Sequence, residues 1–364
     1  MNINVFNFFI YSYPFEYYLN LFSYVDVEEM ALLTAAFAFL NATFSDSVTS
    51  ETRTTSSLSF PTFSGWSYTH GRSYKDSTEF MYRRGIYEAN LDKIEAHNSE
   101  NHSWKMGVNK FADLTADEFK ARYIGGYASS KKVSKKNGHS KFRATTKDVP
   151  TSVDWREQGA VTPVKNQEQC GSCWSFSTTG SIEGAWAIAK GELVSLSEQQ
   201  LVDCSTAQGN QGCNGGLMDY AFEYVIKNGG LTNETNYPYT ATGPNICESA
   251  GKPIAATISG YTDVPANSDE ALMTAVAQQP VSVAIEADQS AFQFYTSGVL
   301  TAACGSSLDH GVLVVGYNTD AWIVKNSWGP DWGDDGYIQL ARGAAYAPVG
   351  QCGILSAGSA PQVV

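Results

Sequence analysis

Apolar and polar positions change their spacing along this 364-residue chain, and each change marks an element. From Phe63 the pattern is helical. Glu79, Arg83, Tyr87, Asn90, Ile94 and Asn98 recur at intervals of four, four, three, four and four, which places them on one stripe of a long helix. The run from Ser175 to Lys190 reads as a largely buried helix with Cys173 at or near its first turn. Three more helices are predicted: Leu196–Cys204 with a Ser cap, Leu217–Asn228 closed by Gly229-Gly230, and Ser268–Gln279 stopped by Pro280. Beyond Pro280 the spacing is that of strands, in Val281–Ile285, in the runs opening at His310 and Trp322, and in Gly336–Leu340. Helices first and strands afterwards predict an α+β fold.

The segments ahead of these elements differ in composition. Residues 1–45 divide into an aromatic-rich extension and Met30–Leu40, an apolar stretch of signal-peptide length, so Met30 is the expected start. Residues 46–60 are Ser/Thr-rich and read as a linker, and 124–148 form a Gly-, Ser- and Lys-rich tether. No apolar run reaches membrane-spanning length, so no stable membrane anchor is expected. The formal net charge is −13, which makes nucleic acid an unsuitable partner. That charge is unevenly held. Residues 149–364 carry 7 Lys+Arg against 21 Asp+Glu, a net −14, whereas 1–148 carry 17 against 16, a net +1. A border near the tether follows, with a nearly neutral part of the chain before a strongly acidic one.

Chemistry concentrates after that border. Unpaired N–H groups and the dipole at a helix start favour an anion, so Cys173 is expected to be an acidified, nucleophilic thiol. A thiolate needs an acid/base partner, and His310 is the sole histidine downstream of it, 137 residues on. Two neighbouring strands would hold His310 beside Asn326. Asp309, next to the base, is a candidate to tune it.

The block Gln167-Glu168-Gln169-Cys170-Gly171-Ser172-Cys173-Trp174, with His310 and Asn326 downstream, resembles the papain family of cysteine peptidases. The resemblance runs from about Phe63 to the C-terminus. It implies a two-lobed papain-like fold, a helical lobe and a β-barrel-like lobe, with the site in the cleft between them at 149–364. It implies Cys173 as nucleophile, His310 as general acid/base, Asn326 as orienter of the imidazole, Gln167 as oxyanion donor and Trp328 as shield of the Asn326–His310 bond. The stripe at 79–98 resembles the inhibitory propeptide of cathepsin-L-like enzymes, with Gly107, Asn109, Phe111 and Asp113 as its second motif. Residues 63–123 are thus an expected helical, autoinhibitory propeptide domain, released in acid with Asp113 as candidate trigger. Ordinary Glu79–Arg83 pairing on an amphipathic helix is the plainer alternative.

All seven cysteines lie after the border, and an odd number in a secretory setting leaves one free thiol. The other six allow 15 pairings. The resemblance selects Cys170–Cys213, Cys204–Cys247 and Cys304–Cys352. Sequons at Asn41, Asn101 and Asn233 fit the secretory route to an extracellular or lysosomal/vacuolar destination. The resemblance also lines the main selectivity pocket with Leu217, Met218, Ala284, Leu308 and Ala357, and pairs substrate backbone with Gly216. An apolar pocket favours bulky apolar side chains. The expectation is a monomeric endopeptidase made as a zymogen, acting on proteins and peptides, with its propeptide as internal inhibitor and no metal or cofactor. Two rivals compete: a dithiol oxidoreductase using Cys170 and Cys173, and an inactive peptidase-like binding protein. The connection Tyr317–Trp322 is short, and the register of Asn326 against His310 depends on it.

Overall fold

The computed structural model describes residues 61–127, 139–140, 142 and 149–363. The expected leader, the linker at 46–60 and most of the basic tether lie outside the described residues.

The N-terminal part holds α1 (Phe63–Thr69), capped by Thr62, and α2 (Ser77–Ser99), capped by Asp76, whose carboxylate accepts the Glu79 N–H. Arg83, Tyr87, Asn90 and Ile94 are the buried face of α2. Three of these are polar, and each is buried because it has a partner, Tyr87 in the segment before the helix and Arg83 and Asn90 in the segment after it. Tyr87 packs on Phe63 and Trp66 and donates to the Pro61 carbonyl at 2.7 Å. Asn90 donates to the carbonyls of Ala112 and Leu114. Arg83 donates to the Asp113 carbonyl and pairs with Glu118 at 2.7 Å, while Glu79 accepts from the Lys75 N–H. Asn98 brackets Met106 with two hydrogen bonds and so fixes β1 (Trp104–Met106), a strand that the periodicity did not announce. Thr115 and Glu118 form a capping box that starts α3 (Ala116–Tyr123).

The chain then passes through β2 (His139–Ser140) and β3 (Val153–Asp154) into the main body. Its helical side contains α4 (Cys173–Lys190), α5 (Glu198–Cys204) and α6 (Met218–Asn228). The other side adds β4 (Gly260–Val264), α7 (Asp269–Val276), β5 (Val281–Ile285), α8 (Ser290–Phe294), β6 (Tyr295–Leu300), β7 (His310–Tyr317), β8 (Ala321–Lys325), β9 (Tyr337–Ala341) and β10 (Gly358–Gln362). The strands form one sheet in the order β1-β6-β9-β8-β7-β5-β10-β4-β2, with β3 against β7. This is an α+β architecture with a helical N-terminal part, the fold class expected from the sequence. The helix expected to reach Gln279 stops at Val276. The Gln278 and Gln279 N–H groups both turn to the Ala275 carbonyl, and the Gln279 side chain donates to Pro361.

Two packing features position the site. Helix α4 is buried from Cys173 to Ala185 and lies on the sheet through small side chains: Ser177 donates to the Val312 carbonyl, and Ser282 to that of Ser177. The β7–β8 hairpin closes on Asn318, whose side-chain oxygen accepts the Asp320 and Ala321 N–H groups at 2.8 Å. A bulge between Val314 and Gly316 then adjusts the register, pairing Leu313 with Lys325. The N-terminal part shares the β-side core: β1 pairs with β6, and Phe111, Leu114, Phe119 and Tyr123 pack into the same cluster as Val312 and Trp328.

Candidate active site

Cys173 opens α4, and its sulfur accepts the Gly311 N–H at 3.2 Å, the residue beside His310. It carries the free thiol, because disulfides join Cys170 to Cys213, Cys204 to Cys247 and Cys304 to Cys352. With Cys170 engaged there is no Cys170–Cys173 dithiol, which removes the oxidoreductase alternative. His310 begins β7 and Asn326 follows β8. The structure brings them together, with His310 Nε2 2.8 Å from Asn326 Oδ1. That oxygen also accepts the Ser327 N–H, and Trp328 lies over the imidazole with ring centroids 4.8 Å apart. Gln167 is tied to the same turn: its N–H donates to the Ser327 carbonyl, its Oε1 accepts the Ser327 hydroxyl at 2.6 Å, and its Nε2 donates to the Cys170 carbonyl. Ser327 was not singled out in the sequence.

The electrostatics differ from the expectation of an acidified thiol. Burial pushes the Cys173 thiol up to about 12, against the opposing Gly311 hydrogen bond, and pushes His310 down to about 4, against its bond to Asn326. Both groups are therefore neutral at ordinary pH, and His310 Nδ1 has no hydrogen-bond partner among the described residues. Asp309, half-buried, is pushed up to about 7 by the same loss of water; its carboxylate accepts the Ala287 N–H at 2.8 Å.

What excludes water is the chain immediately after α3. The Gly125 and Tyr127 N–H groups donate to the Asp309 carbonyl, and the Gly216 N–H donates to the Gly126 carbonyl at 2.9 Å, with Tyr127 bridged in parallel to Gly216. Gly126 must lack a side chain, since a Cβ there would lie 2.6 Å from the Cys173 sulfur and 2.8 Å from the Gly171 oxygen. The segment is anchored on the β side. Phe111 and Phe119 meet Trp328 edge-on, Asn109 donates to the Gln293 carbonyl, Gln293 donates back to Phe111 and Leu114, and Lys120 pairs with Asp288. The Gly107 N–H joins the Phe294 carbonyl. Asp113 is buried, its carboxylate accepting from the Tyr74 phenol and lying 3.8 Å from Arg72, while Arg83 donates to its main-chain carbonyl.

Of the residues expected to line the selectivity pocket, Met218, Ala284, Leu308 and Ala357 share one apolar cluster, and Tyr127 packs into it. Leu217 is buried but lies outside that cluster as the N-cap of α6, its N–H held by Asn210. Burial raises the Tyr127 phenol pKa, and Asp219 and Asp263 raise it further. Tyr127 was not singled out in the sequence, although a glycine pair followed by an aromatic ring was the available signal: close backbone approach, then a plug.

A family model described as papain family cysteine protease matches residues 149–362, and one described as the cathepsin propeptide inhibitor domain matches 63–119. "Probable cysteine protease RD21B" of Arabidopsis thaliana is 47% identical over 323 residues, covering 86% of this chain and 69% of that protein. "Germination-specific cysteine protease 1", also of Arabidopsis thaliana, is 46% identical over 310 residues, covering 81% and 82%. Among solved structures, the digestive procathepsin L 3 of Tenebrio molitor larval midgut is similar at a TM-score of 0.74 and 40% identity, covering 83% of this chain and 98% of that one.

Proposed function

The chain belongs to the papain family of cysteine proteases and is a zymogen with an inhibitor-type propeptide, and from that premise we propose that Cys173, His310, Asn326 and Gln167 perform the hydrolysis. With the covering segment displaced, water returns, the thiol and imidazole reach thiolate and imidazolium, and the sulfur attacks the substrate carbonyl carbon. The oxyanion accepts from the Cys173 N–H and from the Gln167 Nε2 hydrogen not used by Cys170. His310 then hands its proton to the departing amine and later takes one from the water that cleaves the thioester. Asn326 holds the imidazole by its Nε2, leaving Nδ1 for the sulfur, and Trp328 keeps that bond dry. The observation that carries this reading is the 2.8 Å bond from His310 to Asn326, beside a sulfur bound to the very next N–H. Incubating the acid-matured enzyme with an epoxide-type thiol-peptidase inhibitor and mapping the adduct tests it: a label on Cys173 is expected, and a label elsewhere refutes it.

The finer points follow from the same surfaces. Residues 63–123 act as the internal inhibitor together with 124–127, expected from the sequence as part of the tether but lying against Asp309, Gly216 and Cys173; the remaining tether, 128–148, is the part to be cut, and 149–364 is the mature enzyme, a monomer. The pocket around Met218, Ala284, Leu308 and Ala357, with Leu217 at its edge and Gly216 as backbone partner, takes a bulky apolar or aromatic side chain. Tyr127 supports this as a resident occupant of the same volume. Fluorogenic peptides varied at that position check it; equal turnover with Arg and with Leu or Phe would sink the assignment. Three disulfides fit an oxidising secretory compartment, extracellular or vacuolar. Endoglycosidase sensitivity of Asn101 and Asn233 is the check, and two unmodified sequons in the native protein would argue against that route.

A further inference from the structure

We propose that Tyr239 is a positioning residue for the oxyanion site, holding together the two chain segments that carry Gln167 and Cys173; the inference rests on the reading that these two supply the oxyanion donors. The phenolic oxygen lies 2.9 Å from the Gln167 carbonyl oxygen and 2.7 Å from Ser172 Oγ. A carbonyl only accepts, so the phenol O–H donates to Gln167, and the Ser172 hydroxyl donates into the phenol. The result is a relay from the residue before the nucleophile to the residue bearing the side-chain donor, in a part-buried site where such chains reinforce one another. Burial raises the phenol's pKa, so it remains a donor throughout the working range.

Two features show that this relay replaces ordinary local bonding. Ser172 is the N-cap of α4, where a serine usually accepts an N–H from the first turn, yet it makes no capping bond. Its other acceptor, the Cys170 carbonyl, is 3.5 Å away. The loop it must brace is also under backbone constraint, since Glu168, next to Gln167, has φ of 54° without being glycine. Tyr239 is itself placed from two sides: its ring meets Phe176 edge-on at 4.9 Å, and its N–H donates to Glu234 at 2.7 Å.

The test uses the full chain, produced as zymogen and matured in acid. Tyr239→Phe keeps the ring and its contact with Phe176 and removes the relay. It is expected to lower kcat about three- to tenfold, the worth of one net hydrogen bond, with KM unchanged. Affinity for a peptide aldehyde, whose adduct oxygen occupies the same site, should fall in parallel. Alkylation by iodoacetamide needs no oxyanion donor, so its rate should not change. In a Gln167→Ala background, Tyr239→Phe should cost less than about twofold. The proposal is overturned if alkylation slows together with kcat, if the two variants' losses multiply in full, or if kcat does not move. Normal hydrolysis by a Cys173→Ala control would instead condemn the site assignment beneath it.

Discussion

Two groups of buried titratable side chains flank α4 and meet opposite fates. At its N-terminus, Cys173 and His310 lose their water without gaining a counter-charge, and both stay neutral. Along its side, Lys165 sits 2.9 Å from Glu183 and 2.6 Å from Glu198, with Lys325 bonded to Thr162 nearby. Burial works against charge there too, yet the two carboxylates raise the Lys165 pKa, and Lys165 holds Glu183 below its ordinary value. Glu198 is pushed up to about 7 by burial, against the pull of Lys165. Burial by itself neutralises; a fixed partner decides whether charge survives. The two groups also differ in what buries them: the body of the fold covers the ion cluster, while the segment at Gly125–Tyr127, which we propose is displaced on activation, covers Cys173 and His310.

The sharpest way to separate the two is to delete one member of each. Cys173→Ala replaces a neutral thiol with a methyl group, so hydrolysis of a peptide substrate should disappear while thermal unfolding barely shifts; residual turnover by purified variant would contradict this. Lys165→Met strands the buried Glu183 carboxylate and should cost about 3–5 kcal/mol of stability in denaturant melts, and an unchanged midpoint would mean the cluster is not ionised as described.

A third prediction concerns pH. While covered, His310 titrates at about 4, and after release it moves back towards 6.5. Between those values only the released form binds the proton, so the covered form loses stability as pH falls from 6.5 to 4. Zymogen opening, followed by active-site labelling, should accelerate across that window, and a rate flat in pH would exclude His310 as a contributor. Asp309 pulls the other way. Covered, it titrates at about 7 instead of 3.8, so its protonation favours the covered form below pH 7. Asp309→Asn retains an acceptor for the Ala287 N–H and keeps the side chain neutral at every pH, so the covered form is held as firmly as by the protonated acid. Its expected signature is the smallest of the four, a modest fall in the pH of half-maximal opening, and a rise would show that the Asp309 carboxyl does not charge on release.

Legibility followed locality. The α2 stripe was visible as a spacing because helical geometry relates residues three and four apart. Why Arg83, Asn90 and Asn98 belong on it was not visible, since their partners Glu118, Leu114 and Met106 come from later turns. Strand β1 escaped for the same reason: three residues without a pattern become a strand only when β6 supplies the other edge. The bond from the Gln279 side chain to Pro361 in β10, just past the end of α7, was equally beyond local reading.

The sequence by itself determined the family, the order of helices before strands, and which residue types stand at the helix start and strand ends, because these depend on identity and spacing alone. Tertiary structure decided the state of the chemistry. The thiol expected to be acidic at a helix start is pushed up to about 12, since a segment some fifty residues earlier brings Gly126 against it and removes its solvent. A helix end favours an anion modestly, by about 0.3–1 kcal/mol when exposed, whereas loss of water opposes charge several times more strongly. Which influence wins depends on what covers the site, and that is a property of the folded chain.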